Sequence, residues 1–245
     1  MRSGWNVAEV VEVRAETASA RTIRLRVPGL SGHVPGQHVD VRLTAADGYS
    51  AVRSYSVASA LPGDELEITV EELPDGEVSP YLVRRLSTGD QIEVRGPIGG
   101  WFVWHPGDSS PVQLIAGGSG VVPLMAMIRA HEASGNRSEF RLLYSLRDPE
   151  SAFYRGELDS LSRTSRRFAV TWVYTRRAPQ GWPTPAGRLD AATLASAVLP
   201  PESTPAVFVC GATGFVEAVA DWLVQAGHSP DRIKAERYGG MGDTS

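Results

Sequence analysis

Two short runs in this 245-residue chain carry the residue types from which a redox nucleotide site can be built. Arg53-Ser54-Tyr55-Ser56 sets a guanidinium, a phenol and two hydroxyls side by side, and far downstream Ala116-Gly117-Gly118-Ser119-Gly120 sets glycines around a hydroxyl. Arginine can neutralise a phosphate through two hydrogen bonds. On a strand Tyr55 shares the face of Arg53, so its ring could lie against an isoalloxazine while its hydroxyl reaches a ribityl or phosphate group. Ser56 faces the other way, and a bend or the end of the strand must expose it. The glycines permit close approach of backbone to the pyrophosphate of a second nucleotide. Each run also has a plain structural reading: a solvated arginine with a half-buried tyrosine, and a tight turn. Alone, the four residues at 53–56 favour that plainer reading.

The elements around these runs fall into two grammars. Residues 7–13, 22–27, 38–43, 51–57, 66–72 and 91–94 are short, β-rich and often alternating, which predicts strands. Turns fall between them at Pro28-Gly29, Pro35-Gly36, Asp47-Gly48, Pro62-Gly63, Pro74-Asp75-Gly76 and Gly89-Asp90. One helix is expected over residues 78–86, so this half reads as a six-stranded antiparallel barrel. Gly96-Pro97-Ile98-Gly99-Gly100 breaks the pattern. Beyond it, strands expected at 112–116, 139–146, 169–174, 207–210 and 233–237 alternate with helices at 122–134, 154–162, 190–197 and 215–226. Such alternation predicts a parallel sheet covered by helices. The expected fold is β plus α/β, with domains 1–106 and 107–245.

Composition narrows the chemistry. The single cysteine, Cys210, excludes an intrachain disulfide and a cysteine-ligated iron–sulfur cluster within the chain. Five scattered histidines give no expectation of a metal. The formal net charge of −4 argues against general nucleic-acid binding. No apolar run approaches the roughly 20 residues of a membrane span, and residues 1–10 lack the order of a secretory signal. A soluble cytoplasmic protein without a membrane partner is expected.

Gly76-Glu77-Val78-Ser79 opens the lone helix of the barrel half, where free N–H groups favour a pyrophosphate; Ser79 could equally be a cap with Pro80 at the first helical position. Together with Arg53, Tyr55 and Ser56, this turn resembles the ferredoxin–NADP reductase superfamily. The resemblance extends to Gly96-Pro97-Ile98-Gly99, with Trp101-Phe102 one residue later than usual, and covers nearly the whole chain in order and spacing. It implies a single-flavin reductase without a fused iron–sulfur domain, with Arg53, Ser54, Tyr55, Ser56, Val70, Gly76, Glu77, Val78 and Ser79 holding the flavin. FAD is preferred over FMN, because the turn suits a pyrophosphate.

The same resemblance assigns the pyridine nucleotide to Gly117, Gly118, Ser119, Gly120, Cys210 and Gly211, although the run is not a Gly-x-Gly-x-x-Gly fingerprint. Arg147, Thr175-Arg176 and Arg188 stand where phosphopyridine-nucleotide binders carry their 2′-phosphate donors, so NADPH is preferred over NADH. Asp148, beside Arg147, could instead contact the ribose of NADH. The implied chemistry is hydride transfer from C4 of NADPH to N5 of FAD. Ser56 would neighbour N5, Glu236 would handle or position a proton, and Cys210 would set ring approach. Tyr238 would cover the flavin, although the chain here continues past it. Electrons would then leave singly to a separate ferredoxin or flavodoxin, steered by Arg84 and Arg85. A reductase of diffusible flavin, an electron-transfer or regulatory subunit of a larger complex, and a non-redox protein with accidental motifs are the alternatives.

Overall fold

The computed structural model describes residues 4–60 and 63–238. The chain divides into two compact units: residues through Pro106 with Met125–Ser134, and Gly107–Leu124 with the residues from Gly135 onward.

The first unit contains β1 (Asn6–Thr17), β2 (Ala20–Arg26), β3 (His38–Thr44), β4 (Ser50–Ser56), β5 (Glu65–Glu71) and β6 (Gln91–Ile98), with helix α1 (Ser79–Arg84) between β5 and β6. The strands pair antiparallel in the order β4-β3-β6-β1-β2-β5. Register sets Ile23 against Ile68 and Leu25 against Leu66, and these join Val39 and Val41 in one buried core. A slip of one residue would turn that set toward solvent, so the pattern pins the pairing.

Two strands outrun their expected length. β1 reaches Thr17 because register shifts between Val10 and Glu12 and between Ala15 and Thr17 let it curve along β2. β6 continues through Gly96-Pro97, which the sequence marked as a break. His38 pairs Ile98 while Asp40 pairs Arg95, so Gly96 and Pro97 together oppose Val39 in a bulge. Proline's missing N–H is tolerated at such a place. β4 and β5 are the two ends of the sheet. Among the described residues they are joined by one bridge, Val57 to Ile68, beside which Ala58 N–H donates to the Glu67 carbonyl at 2.7 Å. The barrel is therefore pinned at one point and unclosed along β4.

The second unit holds a parallel sheet of β7 (Val112–Gly117), β8 (Phe140–Leu146), β9 (Phe168–Tyr174), β10 (Ala206–Ala212) and β11 (Ile233–Tyr238), in the order β11-β10-β7-β8-β9. α2 (Val121–Ser134) follows β7, and α3 (Arg155–Thr164), α4 (Ala191–Ala197) and α5 (Thr213–Gln225) complete the helices. β7 and β10 are buried almost end to end, as strands covered on both faces must be. From β7 the chain proceeds outward to β8 and β9, then returns to β7's other side as β10 and β11. The order reverses at β7 and β10, and the carboxyl ends of strands at such a reversal are the usual ligand position in sheets of this kind. No helix among the described residues is long and apolar enough to cross a membrane.

Candidate nucleotide-binding sites

In the first unit the candidate residues gather on the unclosed edge. Arg53 lies opposite Val41 and Tyr55 opposite Val39, so both turn to the core-facing side of β4; Ser54 opposite Asp40 and Ser56 opposite His38 turn to the other. Tyr55 packs half-buried against the core, and burial pushes its phenol up to about 12, so the hydroxyl stays neutral. Arg53 is half-exposed and donates to the Val52 carbonyl at 2.8 Å and to Glu77 Oε2 at 2.6 Å. Tyr49, on the β3–β4 hairpin, donates to the other Glu77 oxygen at 2.6 Å. The Arg53 fork beside a neutral phenol on an unpaired strand edge fits a flavin nucleotide.

Other expected flavin contacts are placed differently. The Ser54 hydroxyl donates to Asp40 at 2.6 Å, away from Arg53. Burial alone would raise the Asp40 carboxyl, but hydrogen bonds from Ser54 and Arg95 outweigh it and hold the group below the usual carboxylate range. Val70 and Val78 bury their side chains in the core, leaving only backbone to meet a ligand. Ser79 does not cap α1. Val78 stands at the cap position, and the Ser79 hydroxyl turns back to accept the Leu73 N–H at 3.0 Å. Gly76 N–H donates to the Leu73 carbonyl at 2.8 Å, which closes the loop on itself. α1 has six residues, shorter than expected, and so a smaller dipole. Ser56 is the last residue of β4, the strand end its exposure required. Arg84 is paired with Glu72, which neutralises it as a steering charge.

In the second unit Gly117 ends β7, and a 3-10 turn, Gly118–Gly120, leads into α2. Internal packing accounts for these glycines. Gly118 has φ of +55°. A Cβ on Gly120 would stand 2.2 Å from the Cys210 carbonyl oxygen. The Phe215 ring lies so close to Gly117 and Gly211 that a Cβ on either would stand 2.8 or 2.7 Å from it. The Tyr238 hydroxyl donates to the Gly117 carbonyl and accepts the Gly120 N–H at 3.1 Å, which ties the end of β11 onto the turn.

Cys210 on β10 pairs in register with Ala116 of β7 and Glu236 of β11. Burial, with a further push from the Glu236 charge, holds its thiol well above the usual range. Burial also pushes the Glu236 carboxyl up to about 7, and its Oε2 is buried without a hydrogen-bond partner. At neutral pH this carboxyl can therefore hold or release a proton.

The tips of β8 and β9 bring Arg147 and Arg176 together: Thr175 N–H donates to the Leu146 carbonyl at 2.8 Å and Arg176 N–H to the Arg147 carbonyl at 2.9 Å. Among the described residues Arg147, Arg176 and Arg188 have no acidic partner, whereas neighbouring Arg177 is held by Glu150 at 2.6 Å. Asp148 Oδ1 caps a 3-10 turn by accepting the Ser151 N–H at 3.0 Å. The sequence alone does not point to Tyr49 or Phe215, whose partners, Glu77 and the glycines at 117 and 211, lie on other elements.

Residues 7–103 match the model of the oxidoreductase FAD-binding domain, and residues 114–221 that of the oxidoreductase NAD-binding domain. The glycine betaine monooxygenase reductase subunit of Chromohalobacter salexigens is 31% identical over 244 residues, covering 97% of this chain and 65% of its own length. The ferredoxin reductase component of 3-ketosteroid-9-alpha-monooxygenase from Mycolicibacterium smegmatis is 33% identical over 242 residues, 95% of this chain and 64% of its own length. This chain thus spans under two-thirds of either relative. The crystal structure of the flavohem-like FAD/NAD-binding domain of nitric oxide dioxygenase from Vibrio cholerae O1 biovar El Tor matches with a TM-score of 0.85 at 26% identity, covering 97% of this chain and all of that one. Two domain models in this order, on an antiparallel sheet followed by a parallel one, identify the chain as a member of the ferredoxin–NADP reductase superfamily of FAD- and NAD(P)-binding oxidoreductases.

Proposed function

We propose that this chain is an NADPH-dependent flavoprotein reductase that serves a separate one-electron acceptor protein, a ferredoxin or flavodoxin. What carries the proposal is the presence, in one chain, of a phosphate fork on an unclosed barrel edge and a glycine turn at the switch point of a parallel sheet. Residues 1–106 would form the FAD-binding half and 107–245 the pyridine-nucleotide half. Bound FAD would supply hydride acceptance and one-electron release, chemistry that no side chain here possesses. Arg53 would neutralise its phosphate, Tyr55 would back the ring, and Ser56 would offer a hydroxyl near N5. The backbone of Gly76, Glu77 and Val78 suits the pyrophosphate, which favours FAD over FMN. Cys210, kept as a neutral thiol, would be an inert wall for the nicotinamide, and Glu236 would hold or take up a proton.

NADPH is preferred because, among the described residues, Arg147, Arg176 and Arg188 have no acidic partner, while Asp148, the carboxylate that could receive an NADH ribose, uses one oxygen as a cap. A separate acceptor is supported by relatives named as reductase subunits or components of monooxygenases. The test is an anaerobic titration of the desalted protein with NADPH and then NADH, following flavin absorbance. Bleaching by NADPH at far lower concentration is expected. Preference for NADH would overturn the coenzyme assignment, and no bleaching by either would overturn the hydride transfer.

A further inference from the structure

Arg53 reaches its surroundings through a small, solvent-open cluster on the β4 edge. Its Nη2 donates to Glu77 Oε2 at 2.6 Å, and the second Glu77 oxygen takes the Tyr49 hydroxyl at 2.6 Å. Both members of the ion pair are about half exposed, 51% for Arg53 and 47% for Glu77. These hydrogen bonds, from Tyr49 first and Arg53 second, also hold the Glu77 carboxyl below its usual range, so it is charged at neutral pH. One nitrogen of the fork that a flavin phosphate would use, Nη2, is thus already turned to a resident carboxylate, while Nη1 donates to the Val52 carbonyl. A phosphate taking the fork through Nη2 has to share that nitrogen with Glu77 or displace it. An exposed ion pair is weak enough to be exchanged, but the displaced charge stays tethered beside the incoming anion.

We propose that Glu77 is an internal competitor for the flavin phosphate, one that sets how tightly this reductase holds its flavin rather than adding to the hold. The inference rests on the assignment of Arg53 to a flavin phosphate. It assigns Tyr49 a role as well, since its hydroxyl fixes the carboxylate in reach of the fork. Glutamine keeps one oxygen to accept from Tyr49 but loses both the charge and the second oxygen that holds Arg53, so this isosteric side chain relieves the competition.

The test uses the full chain, freed of bound flavin and titrated with FAD and with FMN, in four forms: wild type, Glu77→Gln, Arg53→Ala and the double variant. Glu77→Gln is expected to bind both flavins about fivefold more tightly, the size of one unit-charge repulsion near 4 Å in water. Arg53→Ala is expected to bind more weakly, and Glu77→Gln to bring no gain in that background. Equal or weaker binding by Glu77→Gln, or the same gain without Arg53, overturns the competition. If wild type binds flavin while Arg53→Ala binds equally well, the phosphate assignment falls and the inference with it. Wild type that binds neither flavin overturns both at once.

Discussion

Glu236 sets a half-buried carboxyl beside the buried thiol of Cys210, and its titration bears on the stability of the second unit. Its raised pKa means the folded protein holds a proton between about 4.5 and about 7 that the unfolded chain releases. Stability from this group is complete below the unfolded value and is lost as pH rises through the folded one. The shift corresponds to a loss on the order of 3 kcal/mol. Glu236→Gln should therefore melt higher than wild type at pH 8 and nearly level with it at pH 4, as thermal melts across pH would show. A wild-type lead that grows with pH would refute the burial argument. At the coenzyme end, Arg176→Ala should cut kcat/KM for NADPH about tenfold to a hundredfold, the worth of one charge-assisted hydrogen bond, with little change for NADH. Equal losses with both coenzymes in steady-state assays would sink the 2′-phosphate assignment. The Arg53–Tyr55 pairing was legible in sequence because residue type and strand alternation suffice for it. The commitment of Ser54 to Asp40 was not, because it depends on which strand lies alongside.

Elements were legible where one strand or helix states its own pattern, and less so where a pair decides. The order of strands and helices follows from alternation and turn residues. The continuation of β6 past Gly96-Pro97 follows from a bulge against β3, which no single-strand pattern contains. The sequence pattern runs past the end of α1 because Leu86, like Val83, is apolar through burial in the barrel core, whatever the helix length. The glycine turn shows the same principle. Its glycines read as ligand access, yet each also answers a contact or backbone demand of its own fold. Gly120→Ala should cost about 3 kcal/mol or more, since the new Cβ meets backbone that cannot swing aside. In a chain of this size that lowers Tm by about 6 °C or more. Gly214→Ala, in α5 with nothing within 4 Å of the new Cβ, should raise stability by about 0.5 kcal/mol. Calorimetry on the two variants would test the contrast, and a well-tolerated Gly120→Ala would argue against the tight approach of the glycine turn to β10.

Across the whole molecule, charge is divided unequally. Residues 1–106 carry 14 acidic and 10 basic side chains, and the remainder carry 14 of each, so the first part holds all of the net −4. With Arg84 neutralised by Glu72, an acidic ferredoxin would meet repulsion rather than guidance. Its reduction by the NADPH-reduced protein should hold steady or quicken when ionic strength is raised about tenfold, because screening weakens repulsion. A steep slowing in stopped-flow traces would reveal a local basic docking patch instead. The two-part organisation was readable as a change of grammar near residue 100, whereas the allocation of Met125–Ser134 to the first unit depends on packing. Among the described residues, the one bridge that joins the end of β4 to β5, Val57 to Ile68, has a consequence for handling the protein. A bare strand edge is a template on which another chain can pair. A ligand laid along it would act as the missing stave, so preparations starved of flavin should clump through β4 while loaded ones stay dispersed.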